Sequence, residues 1–162
     1  MTSCPLISIS VATQRLQLIE RDRIVIDVAV ATARLGVGER RGSEQTPRGW
    51  HEIRACIGAD SPINTVFVGR RPSGEIYSPA LRASYPNRDW ILTRILWLSG
   101  LEVGRNRCGE VDTMARYIYI HGCPDEDPMG IPSSHGCIKM RNHEVIELFE
   151  RISAGTRVNI TE

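Results

Sequence analysis

Only one stretch of this chain carries an apolar face at helical spacing. Val145, Leu148, Phe149 and Ile152 recur three and four residues apart behind Asn142 and Glu144. Asn142 is expected to cap that helix, with Glu144 in its first turn against the positive end of the dipole and Gly155 ending it. Elsewhere apolar residues alternate with polar ones, as in 6–10 and 16–20, or form short β-branched and aromatic runs, as in 24–30, 50–57, 66–68, 91–98, 117–120 and 157–160. One helix among many strands, with no compositional break, predicts a single mainly β domain over 1–162: a sandwich-like pair of sheets with one clear C-terminal helix. A chain this long buries about 70% of its unfolded surface. Segments 36–49, 70–86 and 100–113, rich in Gly, Pro or charge, read as long loops. The last two are expected to wall the functional site.

The chemistry-bearing residues crowd into 119–142. Tyr119-Ile120-His121-Gly122-Cys123 is followed by an acidic, proline-broken loop and then by Ser133-Ser134-His135-Gly136-Cys137-Ile138-Lys139-Met140-Arg141-Asn142. A cysteine nucleophile works as its thiolate, and a free thiol with a pKa of roughly 8.5 needs a neighbouring base to take its proton. A tetrahedral intermediate also needs N–H donors aimed at its oxyanion. Cys137 follows Gly136, whose missing Cβ lets a carbonyl approach the backbone. These types at this spacing fit acyl transfer: Cys137 attacks, a histidine serves as base, and N–H groups of the 135–137 turn receive the oxyanion. His121, at the end of a strand-like run, and His135, two residues before the thiol, both suit the base role. Two His-x-Cys pairs, His121 with Cys123 and His135 with Cys137, also make a Cys2His2 zinc set on paper, with one intervening residue where structural sites more often have two to four.

The Ser134-His135-Gly136-Cys137 tetrad, preceded by Ile120-His121-Gly122, resembles the signature of the YkuD-type L,D-transpeptidase domain. Thr46-Pro47-Arg48-Gly49 and Gly155-Thr156-Arg157-Val158 are similar to two further elements of that family, so the resemblance covers about 24–160. It implies a YkuD-like β-sandwich with long loops around the site, no metal and no cofactor. It makes Cys137 the nucleophile and His121 the base, oriented by the Gly122 carbonyl, and puts His135 and Gly136 in the oxyanion turn. Ser134, Lys139 and Tyr119 become candidates for substrate contact. The sequence departs from the family at Lys139, where Arg or Asn is usual; lysine keeps the charge without the planar fork. Cys123 stands outside the signature.

The substrate class implied is the peptidoglycan stem peptide, cleaved through a thioester at the L,D bond before the terminal D-alanine of a tetrapeptide. Water as acceptor makes an L,D-carboxypeptidase, a second peptide amine makes an L,D-transpeptidase, and a zinc-stabilised binding module is the alternative from another class. Met1–Ala12 has no Lys or Arg and is broken by Pro5, so no export signal is read. Five cysteines argue against a disulfide framework. Both point to the cytoplasm, with the periplasm as the alternative if an export signal has been removed, to soluble muropeptides as partners and to hydrolysis. With 20 basic against 19 acidic residues, nucleic acid is not an expected partner, and Arg40-Arg41 and Arg70-Arg71 read as solvated loop charges. No apolar run is long enough for a membrane span. Trp97 and Cys108 are assigned to core and to no function.

Overall fold

The structure, a computed structural model, describes residues 3–162; Met1 and Thr2, at the head of the stretch read for an export signal, lie outside the described residues. Its strands are β1 Leu6–Ser10, β2 Arg15–Glu20, β3 Arg23–Ala29, β4 Gly49–Ile57, β5 Thr65–Val68, β6 Arg71–Ile76, β7 Ile91–Gly100, β8 Tyr119–Gly122, β9 Ile138–Met140 and β10 Arg157–Thr161. Two helices, α1 Pro79–Ser84 and α2 Asn142–Arg151, interrupt them. The protein is mainly β with one clear C-terminal helix. The strands form one curled sheet in the order β3-β2-β1-β10-β4-β7-β5-β6; β8 joins β7 and carries β9.

Alternation decides which side each strand buries. Ile7, Ile9, Leu16 and Leu18 are fully buried on β1 and β2, while Ser8 and Gln17 between them face outward or lie half-buried. Burying each such side chain contributes about 1.5–3 kcal/mol. The same core takes Ile120 from β8, Ile138 and Met140 from β9, and Val145 and Leu148 from α2, with Phe149 and Ile152 packed against it. The chain's two ends meet here: β1 runs parallel to β10, from Leu6 opposite Arg157 to Ser10 opposite Thr161.

β7 is the branch point. One of its edges pairs first with β5, at Ile91 and Leu92, and then with β4, from Ile95 to Gly100. Its other edge pairs with β8, from Leu92 opposite Gly122 to Trp97 opposite Tyr119. The switch falls at Thr93, buried at a φ of 73°, a conformation β-branched residues seldom adopt.

Two expectations are corrected. Segment 70–86 is not a continuous loop but holds β6 and α1. β6, with Pro72, Gly74 and two charges, is an edge strand exposed along most of its length, where such residues are tolerated. α1 is capped by Ser78, whose Oγ accepts from the Leu81 N–H at 3.1 Å, and starts on Pro79. Asn142 does not cap α2: Arg141 occupies the N-cap without a side-chain bond to the helix N-terminus, and Asn142 points inward, almost wholly buried.

Candidate active site

β8 and β9 run side by side and parallel, with Ile120 opposite Ile138, His121 opposite Lys139 and Gly122 opposite Met140. Side chains alternate, so Ile120, Ile138 and Met140 enter the core while Tyr119, His121, Cys137 and Lys139 face the other way. All four line one cavity of about 440 Å³, together with Arg70, Asp89, Arg116 and His135. A pocket of this size holds a small ligand or a few residues of peptide.

The segment carrying Cys137 is clamped on three sides. Ser133 and Ser134 N–H groups both donate to Thr32 O at 2.9 Å, and Ala31 and Lys139 exchange backbone bonds of 3.0 and 2.9 Å. Thr46 Oγ1 donates to Gly136 O at 2.9 Å while accepting from Ala33 N–H at 3.0 Å, which ties the Thr-Pro-Arg-Gly element to the turn. Ser134 Oγ donates to Cys137 O and accepts from Gly136 N–H at 3.2 Å. Gly136 sits at a φ of 132°, and a Cβ there would come within 3.1 Å of Ile118 Cδ1. With Gly136 N–H spent on Ser134, the N–H groups of His135 and Cys137 are the turn's donors without a partner among the described residues. They are the ones an oxyanion in the cavity can use.

Cys137 is half-buried. Its Sγ accepts from Tyr119 N–H at 3.3 Å and lies 3.5 Å from Tyr117 O. Burial pushes its thiol up to about 12; the Tyr119 N–H and the Arg116 charge work against that, and Asp89 works with it. His121 is buried, and its Nδ1 is 2.6 Å from Gly122 O. A carbonyl only accepts, so Nδ1 carries the proton and Nε2 keeps its lone pair. Burial lowers the His121 pKa, opposed by Asp89 and by the Gly122 carbonyl. The resting pair is therefore a neutral thiol and a neutral imidazole, a combination suited to proton transfer at the moment of attack.

The remaining sequence candidates fall into different places. His135 is exposed on the rim, with Nδ1 4.0 Å from Asp89 Oδ2. Ser134, a candidate for substrate contact, has its hydroxyl proton committed to the turn. Lys139 lines the cavity, but its ammonium is 2.9 Å from Asp127 Oδ2, and Asp127 also takes Arg82 at 2.7 Å. Its charge is matched within the protein. Tyr119 is buried, its Oη accepting from Arg70 Nη1 at 3.0 Å and its ring edge-on to Trp97. Arg70 is thus not a solvated loop charge. It occupies the Gly69-Arg70 turn between β5 and β6, both residues at positive φ, with its guanidinium 4.8 Å from the ring centroids of Trp97 and Tyr117. Arg116 also escaped sequence reading; Nη1 reaches Gly38 O and Glu39 O, and Nη2 reaches Ser43 Oγ and Gln45 O. No local pattern marks either arginine, because the rings and carbonyls that hold them come from distant segments.

The zinc alternative does not assemble. Cys123 is fully buried and donates its thiol to Met140 O at 3.2 Å, away from the cavity, and His121 Nδ1 is committed to Gly122. No group of three or more His, Cys, Asp or Glu among the described residues is placed to hold a metal ion. No helix among them is long and apolar enough to cross a membrane.

A family model described as the L,D-transpeptidase catalytic domain, YkuD, matches residues 5–160. The probable L,D-transpeptidase YbiS of Escherichia coli strain K12 is 30% identical over 118 residues, covering 65% of this chain and 35% of that protein. The chain thus spans about a third of the length of the curated relative it matches. Among solved structures, an L,D-transpeptidase from Mycobacterium smegmatis superposes with a TM-score of 0.57 at 14% identity, over 98% of this chain and 58% of the other. L,D-transpeptidase 3 from Mycobacterium tuberculosis gives 0.60 at 12% identity, over 98% and 61%. At these identities the structural likeness speaks for the fold.

Proposed function

Because this chain belongs to the L,D-transpeptidase catalytic domain family, we propose that it performs cysteine-dependent acyl transfer on peptidoglycan stem peptides, cleaving the L,D bond before the terminal D-alanine of a tetrapeptide. The observation that carries this reading is the shared face of β8 and β9, which aims Cys137 and His121 into one cavity with the imidazole tautomer fixed by Gly122 O. Cys137 Sγ attacks the scissile carbonyl carbon as its proton passes to His121 Nε2. The oxyanion is received by the free N–H groups of the 135–137 turn, and the Tyr119 N–H stabilises the sulfur. Collapse breaks the C–N bond, His121 returns the proton to the leaving amine, and D-alanine departs, leaving a thioester.

Hydrolysis of that thioester is the fate we assign, with a soluble muropeptide as substrate. His135 and Asp89 on the rim have side chains 57% and 60% exposed, so solvent stands beside the thioester, and a strict transpeptidase has to exclude it. Cross-linking is the second reading. It is favoured by two depressions that continue the cavity on either side of His135, one past Arg41 and Glu44, the other past Arg88 and Trp90, where a second peptide has room. Incubation with a tetrapeptide muropeptide followed by mass spectrometry tests both. Loss of one alanine supports the carboxypeptidase, a dimeric product the transpeptidase, and an unchanged peptide refutes both.

A further inference from the structure

Three cations line the cavity that holds Cys137, and they differ in how much of their hydrogen-bonding capacity the protein already uses. Lys139 is paired with Asp127 at 2.9 Å. Arg116 places both terminal nitrogens on four oxygens of 38–45. Arg70 makes one hydrogen bond, from Nη1 to Tyr119 Oη at 3.0 Å, and has no carboxylate partner among the described residues. A guanidinium has five donors in a planar fork, so most of this one is unspent. It is nonetheless held still: the rings of Trp97 and Tyr117 each lie 4.8 Å from it, and its backbone is fixed in a two-residue hairpin turn. An immobilised, half-buried arginine with free donors binds a carboxylate without first paying for its own ordering.

Tyr119 supplies the ruler. Its backbone N–H touches Cys137 Sγ and its side-chain hydroxyl touches Arg70, so thiol and guanidinium stand about one tyrosine apart along the cavity. We propose, resting on the acyl-transfer reading above, that Arg70 is the specificity residue that holds the free α-carboxylate of the terminal D-amino acid. That carboxylate lies a single residue beyond the bond that breaks. The enzyme would thereby select chain ends, a choice that Lys139, already neutralised, is not free to make.

The experiment compares a tetrapeptide ending in a free acid with the same peptide ending in a carboxamide, in wild type, Arg70→Lys and Arg70→Met. Hydrogen bonds to a charged group contribute about 1.5–3 kcal/mol, so the wild-type enzyme is expected to prefer the acid by roughly 10- to 100-fold in kcat/KM. Arg70→Met is expected to bring the ratio to within about twofold of unity, with Arg70→Lys between, since lysine keeps charge but loses the fork. A merely structural arginine lowers both rates and leaves the ratio intact, and that result overturns the proposal. The second readout is protection of Cys137 from iodoacetamide by each peptide, which needs no turnover. If the wild type cleaves neither peptide, the acyl-transfer reading fails; protection by the acid alone, lost in Arg70→Met, still supports the carboxylate site. Equal protection by acid and amide overturns it.

Discussion

The thiol of Cys137, uncharged near neutral pH because burial raises it to about 12, makes the imidazole the partner whose state governs rate. Burial lowers the His121 pKa, with Asp89 and the Gly122 carbonyl pulling back, so protonation switches the base off only at a pH below the ordinary imidazole value of 6.5. Turnover is therefore expected to persist into mildly acidic solution and to fall at lower pH; a pH–rate profile of kcat/KM with its acid limb at or above 6.5 contradicts this environment. Cys137→Ser is expected to abolish D-alanine release while the far-UV circular dichroism stays unchanged, since serine is a far poorer nucleophile beside the same base. His121→Ala is expected to cost on the order of a hundred- to ten-thousandfold and more than His135→Ala, whose side chain stands on the rim. The reverse order in steady-state kinetics would move the base role to His135. Cys123 has its thiol in the core on Met140 O, so Cys123→Ala should keep kcat within about twofold and lower stability modestly, on the order of 1 kcal/mol. The residue types and their spacing made Cys137 and His121 legible in the sequence, because catalysis demands those types close together. Arg70 reads in sequence as a solvated charge, because what defines it, two rings and a hydroxyl from β7 and 117–119, is not local.

At the scale of elements, the site depends on what stands behind β8. Asn142, at the first turn of α2, accepts from Thr93 Oγ1 at 2.6 Å and donates to Cys123 O at 2.9 Å, Asn64 Oδ1 at 3.1 Å and Asp125 Oδ1 at 3.3 Å. It joins the end of β8 to the bulged middle of β7 and to the acidic loop. Gly122 fits against it so closely that a Cβ would collide with Asn142 Oδ1 and lie 2.6 Å from Leu92 O. The carbonyl of this glycine orients His121, so the network reaches the base through one residue. Thr93 keeps its unfavourable φ of 73° because its hydroxyl is bonded on both sides, to Asn142 and from Asn64 N–H at 3.1 Å. Replacing Asn142 by Ala strands two buried partners, Thr93 Oγ1 and Cys123 O, and each costs about 1–3 kcal/mol. We expect a loss of roughly 2–4 kcal/mol in urea unfolding and a lower kcat with little change in KM. A loss under about 0.5 kcal/mol would show that the network is dispensable. An asparagine ahead of an acidic first turn reads as an N-cap from sequence, and nothing local reveals a tertiary hub. The strand β6 was missed for a related reason: edge strands admit the Pro and Gly that sequence reading takes for loop. α1 did carry its signal, in Ser78-Pro79.

For the whole molecule, alternation shows which face of each strand is buried but not which strands share a ladder, so the insertion of β10 between β1 and β4 and the branching of the sheet at β7 were not legible. That same long-range pairing buries a histidine with no role in the cavity. His51 on β4 is fully buried, Nδ1 3.0 Å from Gly49 O and Nε2 2.9 Å from Thr113 Oγ1. Nδ1 must donate to the carbonyl, leaving Nε2 to accept from the threonine hydroxyl, and a proton added at Nε2 breaks that bond. Burial pushes its pKa down from 6.5 to about 4. Between those values the unfolded chain holds a proton that the folded chain refuses, so stability rises with pH through this window and is lost as pH falls through it. At ~1.4 kcal/mol per unit, the loss from His51 between pH 7 and about 4.5 amounts to roughly 2–3 kcal/mol. His121, lowered by burial too, adds in the same direction. Glu39, held below its ordinary 4.5 by the hydrogen bond from Arg48, loses its contribution only further into acid, while Glu144, raised by burial, works in the opposite sense at the foot of this window, so the histidine share is read from the variant. Urea unfolding of wild type and His51→Gln at pH 7 and 4.5 isolates the effect: the pH-dependent drop should shrink by about 2–3 kcal/mol in the variant. A drop in His51→Gln as large as in the wild type would be incompatible with a histidine buried neutral in this core.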